Sequence, residues 1–472
     1  VFESALGACR TRNMKETNFY KDPGSFRDPS GCVFHRDGEL YRQVNRSYRE
    51  DYERLMRSGL YDSLVRDGLL VPHQEVDLSM RISDDACVVI RPEPVPFVSY
   101  PYEWCFSQLK AAAELTLAVQ QRALQHGMSL KDCAGYNVQF KDYRPVFIDT
   151  LSFERWTGGP WVGFRQFCQH FIAPLALARH KDMRLAQLLK IYLDGIPVDL
   201  TGSLLPWRTW FSLSLGFTIH LHARFQKHYG GKVYKDRSMK ARATDLGGIL
   251  YILQRAVNKL KWRPAATEWA DYYERTNYGD EAFESKKGIV ARFLQAARPS
   301  KVWDLGANTG VLSRVASNMG IHTVAFDMDP AAVELNYREC VKKAEKNILP
   351  LLLDLTNPSP DLGWANTERK ALFRRGPADL VMALALIHHL AIANNVPLSS
   401  VAESLRGLCA FLIIEFVPKS DSQAQRMLAT REDIFPDYTQ ESFEAAFAER
   451  FAIVDSAPVA LSERTIYLMR AR

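Results

Sequence analysis

The sequence predicts an α/β protein in which residues 261–472 form a doubly wound, mostly parallel sheet of seven strands, preceded by an α+β part over residues 1–260. Three observations predict it. From residue 300 onward, short, nearly continuous apolar runs alternate with helical patterns, as expected when both faces of a parallel sheet are covered. A glycine-bearing turn, DLGANTG, joins the first run to the first helix. An acidic residue closes the second run, in FDMDP.

The elements follow in order. KVWDLG is an apolar strand ending in glycine, TGVLSRVASNM a helix, and HTVAFDMD a strand. PAAVELNYRECVKKAEK is a helix with proline in its first turn, where the missing N–H is no loss. LPLLLDL and ADLVMALALI are strands, LSSVAESLRGL a helix, CAFLIIEFVP a strand and TQESFEAAFAERF a helix. AIVDSAPV and TIYLMRAR close the chain as an antiparallel edge hairpin. Upstream, GGKVYKDRSMKARAT (230–244) is polar and basic and reads as a loop or linker, LGGILYILQRAVNKLKW as a helix, and residues 261–300 as a helical lead-in, which places the domain boundary near 260.

The turn carries the chemistry. Glycines between a strand and a helix let backbone approach a ligand, and a helix N-terminus offers free N–H groups. The spacing is G-x-x-x-G, not the G-x-G-x-x-G of dinucleotide binders. Asp304, two residues before Gly306, would repel a pyrophosphate and suits a ligand bearing an ammonium or sulfonium group. Asp327 lies 21 residues after Gly306, placed to accept ribose hydroxyls, with Met328 against an adenine. DLGANTG, FDMDP and the ordered strands resemble the class I S-adenosylmethionine-dependent methyltransferases, over roughly residues 275–472. The resemblance implies a Rossmann-like sheet and S-adenosyl-L-methionine as cofactor. It places Asp304, Gly306, Asn308 and Gly310 around the methionine moiety, Asp327 on ribose and Asp354 at the adenine amino group. A doubly wound sheet binding another nucleotide is the alternative. NPSP (357–360) follows the third strand, where an amino-methylating motif does not belong, and reads as a turn.

His388 and His389 end the fourth strand, and either could serve as general base or simply pack or cap a helix. Glu415, ending the fifth, points to the same edge and is a weaker substrate candidate; Tyr278 and the lysines of ESKKG could form a lid, whereas Tyr272 and Tyr273 read as core.

In the first 260 residues one constellation stands out. LKDCAGYNVQFKDYRPVFIDT gives Asp132 and Asn137 the D-x-x-x-x-N spacing, two strand-like runs, and then Asp149. A long helix, FSQLKAAAELTLAVQQRALQHG, precedes it. Further upstream GCVFHRDGELYRQV reads as a hairpin carrying Arg42, followed by a helix with Glu50 and Glu53. In outline this resembles protein-kinase-like folds, in which a catalytic loop, a hairpin and a metal-binding aspartate have this order. It departs from them in Arg42 for lysine, a degenerate glycine loop and Asp149-Thr150-Leu151 in place of D-F-G. An active kinase-like enzyme, a degenerate one that binds substrate or nucleotide, and turn-forming Asp and Asn in an unrelated domain all remain open.

Charge is uneven. Residues 1–264 carry 37 Lys+Arg against 27 Asp+Glu, the remainder 23 against 27. An anionic partner for the first part and an ordinary solvated basic surface fit equally. Eight dispersed cysteines without a CxxC pair point to reduced thiols in the cytoplasm and to no metal site. The N-terminus lacks signal-peptide character, and no apolar run is long enough to span a membrane. PWRTWFSLSLGFTIHLHARFQKHYGGK reads as a helix packed in a core, the alternative being contact with a membrane surface.

The leading functional expectation is methyl transfer to a polar small molecule or glycan, possessed of negative charge or not, presented by the N-terminal part. Chains joining these two fold types occur in bacterial polysaccharide modification, and the whole chain resembles bacterial methyltransferase-like proteins labelled nodulation proteins. A nucleic-acid methyltransferase, a bifunctional kinase-like methyltransferase and a non-catalytic adaptor built on two degenerate folds are the alternatives. The first of these lacks a recognisable RNA or DNA module, and the last conflicts with the intact turn.

Overall fold

The computed structural model describes residues 19–224, 243–264, 280–429 and 432–472. The chain divides into two compact units, Val1–Glu53 with Pro72–Pro94, and Arg54–Val71 with Val95–Arg472. This does not follow the boundary expected near 260. That position separates the sheet's strands from earlier elements in chain order, but residues 95–260 belong to the same compact unit as the sheet.

The first unit is an antiparallel sheet of β1 (Phe19–Lys21), β2 (Gly31–Arg36), β3 (Glu39–Asn45), β4 (His73–Val76) and β5 (Ala86–Pro92), in the order β1-β2-β3-β5-β4. The expected hairpin is β2–β3, with Val33 opposite Arg42. The helix Arg49–Arg57 carries Glu50 and Glu53.

In the second unit the long helix is Phe106–Gln125, and it is followed by β6 (Met128–Leu130), β7 (Val138–Lys141), β8 (Arg144–Phe147) and β9 (Phe153–Arg155). β7 and β8 form the expected hairpin, and β6 pairs with β9. The helix Ala243–Lys259 matches the pattern read from 246 to 262.

The sheet that follows contains β10 (Lys301–Leu305), β11 (His322–Asp327), β12 (Ile348–Leu352), β13 (Ala378–Ala383), β14 (Cys409–Phe416), β15 (Phe451–Pro458) and β16 (Thr465–Ala471). Its order is β12-β11-β10-β13-β14-β16-β15. Strands β10 to β14 pair in parallel, whereas β16 is antiparallel to both β14 and β15. Every residue of β12 is buried, as a strand covered on both faces requires. Strand order reverses at β10 and β13, and it is beyond the carboxyl ends at such a switch point that ligands bind in doubly wound sheets.

Two elements are shorter than expected, for backbone reasons. The helix read over 309–319 is regular only at Ser313–Ser317, because Asn308 and Gly310 take positive φ before it. The strand read over 378–387 ends at Ala383, since Ala385 sits at φ +52°.

Residues 95–105 pack directly on this sheet. Phe97 meets Trp303 and Phe326 edge-on, at 5.6 and 5.8 Å between ring centroids. Glu103 receives two hydrogen bonds from Arg375, at 2.8 and 2.5 Å, and a third from Ser359 Oγ at 2.6 Å. Ser107 and Gln108, in the first turn of the long helix, bond to Glu334 and to the Pro350 carbonyl. The sheet side of this contact is apolar ring surface, which would be costly to expose, and a buried guanidinium, whose desolvation is tolerable only because Glu103 pairs with it.

The segment 206–221 corrects an expectation. It forms short helical turns, Trp207–Phe211, Leu213–Leu215 and Gly216–Leu221, and several of its largest apolar side chains are exposed rather than packed in a core.

Candidate active site at the glycine turn

Beyond β10 the backbone folds over the end of β11. The N–H groups of Gly306 and Ala307 both donate to the Phe326 carbonyl, at 2.9 and 2.8 Å. Asp327 then ties the turn together: Oδ2 accepts from Asn308 N at 2.7 Å and Oδ1 from Asp329 N at 2.8 Å. Asn308 Oδ1 accepts from Thr309 N at 2.6 Å, which stabilises the positive φ at that residue.

The glycines have different reasons. Gly310, at φ +77°, lies where a Cβ would stand 2.4 Å from the Asn336 side chain, so only glycine lets the helix Pro330–Lys343 close on the turn. Gly306, at φ +76°, faces Leu386 beyond β13, with space for a Cβ at 3.4 Å but a backbone conformation that disfavours one.

The two carboxyls are strained electrostatically. Asp304 is buried, and its Oδ2 accepts from Ser313 Oγ at 2.6 Å. Burial pushes it up to about 7, against the opposing effects of Ser313 and Lys286. Burial likewise raises Asp327 to about 6, despite its backbone donors. Met328, next along, is 66% exposed at the rim. Asp354, just past β12, closes a turn by accepting from Thr356 N and Oγ1. NPSP, read as a turn, follows the turn at Leu355–Thr356 as irregular chain.

His388 and His389 follow β13 with ring centroids 4.2 Å apart. His388 is 1% exposed, and its Nδ1 has no hydrogen-bond partner. Burial, His389, Arg464 and Lys286 hold its imidazole far below the usual range; burial and Arg464 bring His389 down to about 4. Both rings are therefore neutral at neutral pH.

Glu415 is not placed for substrate. It is fully buried, with Lys286 Nζ at 2.6 Å, Ala385 N at 2.6 Å and Arg464 at 3.7 Å; Arg464 also bonds Asp421 at 2.8 Å. Two cations outweigh desolvation and keep it ionised. Glu415 thereby pins the loop that carries the histidines. Lys286 is correspondingly no lid residue. It lies on the buried stripe of its helix with Ala282, Val290 and Phe293, and a lysine on an apolar stripe signals a buried anionic partner, which sequence reasoning missed. Arg464, in the turn between β15 and β16, carried no such signal. Lys287 pairs with Glu284 on the surface. Tyr278, Tyr272 and Tyr273 lie outside the described residues.

The second constellation is also brought together. The β6–β9 pair and the β7–β8 hairpin set Asp132, Asn137 and Asp149 around one loop. Their side chains are engaged within it: Asp132 Oδ1 accepts from Ala134 N and Gln166 Nε2, Asn137 donates to Ser152 Oγ, and Ser152 donates to Asp149 at 2.6 Å. Asp149 also caps Leu151 N. Arg42 forms an ion pair with Asp28 at 3.4 Å.

A doubly wound sheet with an antiparallel seventh strand, a glycine turn at its switch point and an acidic side chain ending the neighbouring strand defines the fold of the class I S-adenosylmethionine-dependent methyltransferases. The nodulation protein NoeA of Rhizobium meliloti (strain 1021) is 37% identical over 456 residues, covering 94% of each chain. The chain belongs to the family of this nodulation protein. No family model matches it. Among solved structures, magnesium protoporphyrin IX methyltransferase (ChlM) from Synechocystis PCC 6803 with bound SAH is similar at 17% identity and TM-score 0.31, over 43% of this chain and 93% of that one. The N-methyltransferase NodS from Bradyrhizobium japonicum WM9 follows at 11% identity and TM-score 0.29, over 41% and 97%. WbdD is similar at 12% identity and TM-score 0.29, over 43% of each chain. Likenesses this weak carry no argument, and the fold rests on the strand order itself.

Proposed function

We propose that the protein transfers the methyl group of S-adenosylmethionine to a polar small-molecule or glycan acceptor. One observation carries the reading: the Asp327 carboxylate is anchored across the Gly306–Gly310 turn, at the carboxyl ends of two adjacent strands, with the buried Asp304 beneath. Two carboxyls disfavoured by burial fit a ligand that supplies positive charge and hydroxyl donors. Asp304 and Gly306 would flank the methionine part, Asp327 would accept from the ribose hydroxyls, and Met328 and Asp354 would border the adenine. The donor supplies a sulfonium methyl already activated for displacement. The protein's part is to hold the acceptor in line and exclude water, so most of the rate enhancement comes from positioning.

His388 and His389 belong to the acceptor side of this reading. Neutral imidazoles held this low are weak bases and serve better as hydrogen-bonding walls. That favours an acceptor atom needing little deprotonation. The relative's name places that protein in nodulation, and the same process is proposed here. A subordinate reading, in which the loop of Asp132, Asn137 and Asp149 binds nucleotide, draws support from the Asn137–Ser152–Asp149 hydrogen-bond chain beside the β6–β9 and β7–β8 pairs.

Thermal melting with S-adenosylmethionine, S-adenosylhomocysteine and Mg-ATP, each added alone, tests both. At about a hundred times Kd the first two should each add ~2.7 kcal/mol of stability. Asp327→Ala should remove that shift while leaving the chain folded. No shift with either compound, or an unchanged shift in the variant, overturns the reading. An ATP shift lost in Asp149→Ala supports the subordinate one.

A further inference from the structure

We infer that the segment 206–221 is a docking surface for an anionic phospholipid bilayer, with exposed aromatic and aliphatic side chains entering the interface beside a basic cavity that receives a lipid headgroup. The inference stands independently of the donor site.

The segment is anchored from within by Leu215 and Ile219 in the main core and by buried Thr209, Ser214, Thr218 and His220, with Thr209 Oγ1 2.7 Å from His220 Nε2. Its outward side is apolar: Trp207 is 68%, Phe211 79% and Leu213 81% exposed. These side chains are held in place. Trp207 meets Phe211 at 5.8 Å between centroids, and Trp210 stacks on His220 at 4.5 Å. Three large apolar side chains held together in water are unfavourable for a protein surrounded only by water.

Charge chooses the occupant. Pro206, Arg208, Ser212 and Leu215 from the same segment line a cavity of about 480 Å³, together with Arg179 and Lys259. Among the described residues no carboxylate lines it. Among the described residues, Arg179, Arg208 and Lys259 are in no ion pair, and Arg208 lies over the Trp207 ring at 5.9 Å. Unneutralised cations beside exposed Trp, Phe and Leu match the negative surface potential, phosphates and acyl boundary of an anionic leaflet. Among the described residues no helix is long and apolar enough to cross a membrane, so the contact is at the surface.

Flotation of the full chain with vesicles tests this. The chain should float with phosphatidylcholine–phosphatidylglycerol vesicles, not with phosphatidylcholine alone, and added salt should weaken the association. The triple variant Trp207→Ser, Phe211→Ser, Leu213→Ser should reduce partitioning by at least about tenfold. Arg208→Ala with Lys259→Ala should reduce it roughly fivefold per charge removed. Far-UV circular dichroism and a cooperative melt like those of the parent chain would show that the variants are folded. Absence of flotation, equal flotation on neutral vesicles, or variants that float like the parent overturn the inference. So does a parent chain that binds no vesicle but forms a dimer dispersed by the triple variant, which would assign the face to a second copy.

Discussion

Asp304 and Asp327 are held short of full ionisation by the same burial that makes them useful. In the ligand-free chain their carboxyls titrate at about 7 and about 6. Both lie above the ordinary aspartate value, so the stability they contribute is present at low pH and is lost as pH rises through 6 and 7. A cationic donor prefers the ionised forms and reverses that loss. Donor affinity should therefore weaken as pH falls from 8 to 5, by up to about tenfold per unit for each proton taken up. Calorimetric titration at several pH values, in buffers of different ionisation enthalpy, would detect proton release on binding near neutrality. Asp304→Asn should bind with a shallower pH dependence. A flat affinity profile in the parent chain would contradict the assignment.

Among the elements, the helix Pro330–Lys343 depends on a single missing side chain. Gly310 combines positive φ with a Cβ position already filled by Asn336. Gly310→Ala should destabilise the protein by about 2 kcal/mol or more, from the left-handed backbone and the overlap together. Urea unfolding would measure it, and donor binding should weaken alongside, because the same turn holds Asn308 N against Asp327. The loop after β13 has a comparable anchor in Glu415, through Ala385 N. It was expected at the substrate and is instead a post, because two buried cations claim it.

Across the whole molecule, the sheet and the stretch from residue 95 to 264 form one compact unit. Glu103 and Arg375, 1% and 4% exposed, form a buried ion pair joining them. Glu103→Ala leaves Arg375 as a buried charge without its carboxylate and should cost about 3–5 kcal/mol. Differential scanning calorimetry should show the main transition moved down while a donor-induced shift survives. An unchanged melting temperature would mean that the contact contributes little. Within this unit the segment around Phe97 shares a core with the sheet, through Trp303 and Phe326.

By itself the sequence determined the seven strands and their alternation with helices, the glycine turn, and the acidic partner one strand over. Each of these is written in local periodicity or in glycine spacing, which short-range backbone sterics enforce. It also placed Asp132, Asn137 and Asp149 on a loop and a hairpin. Only the tertiary structure decided that Glu415 and Lys286 bury each other's charge, that the two histidines are kept neutral, and which face of residues 206–221 meets water. Those outcomes depend on which groups meet after folding and on how much solvent each loses. Burial and long-range electrostatics are properties of the packed chain; the apolar stripe around Lys286 signals that its charge is buried, but not that Glu415 is its partner.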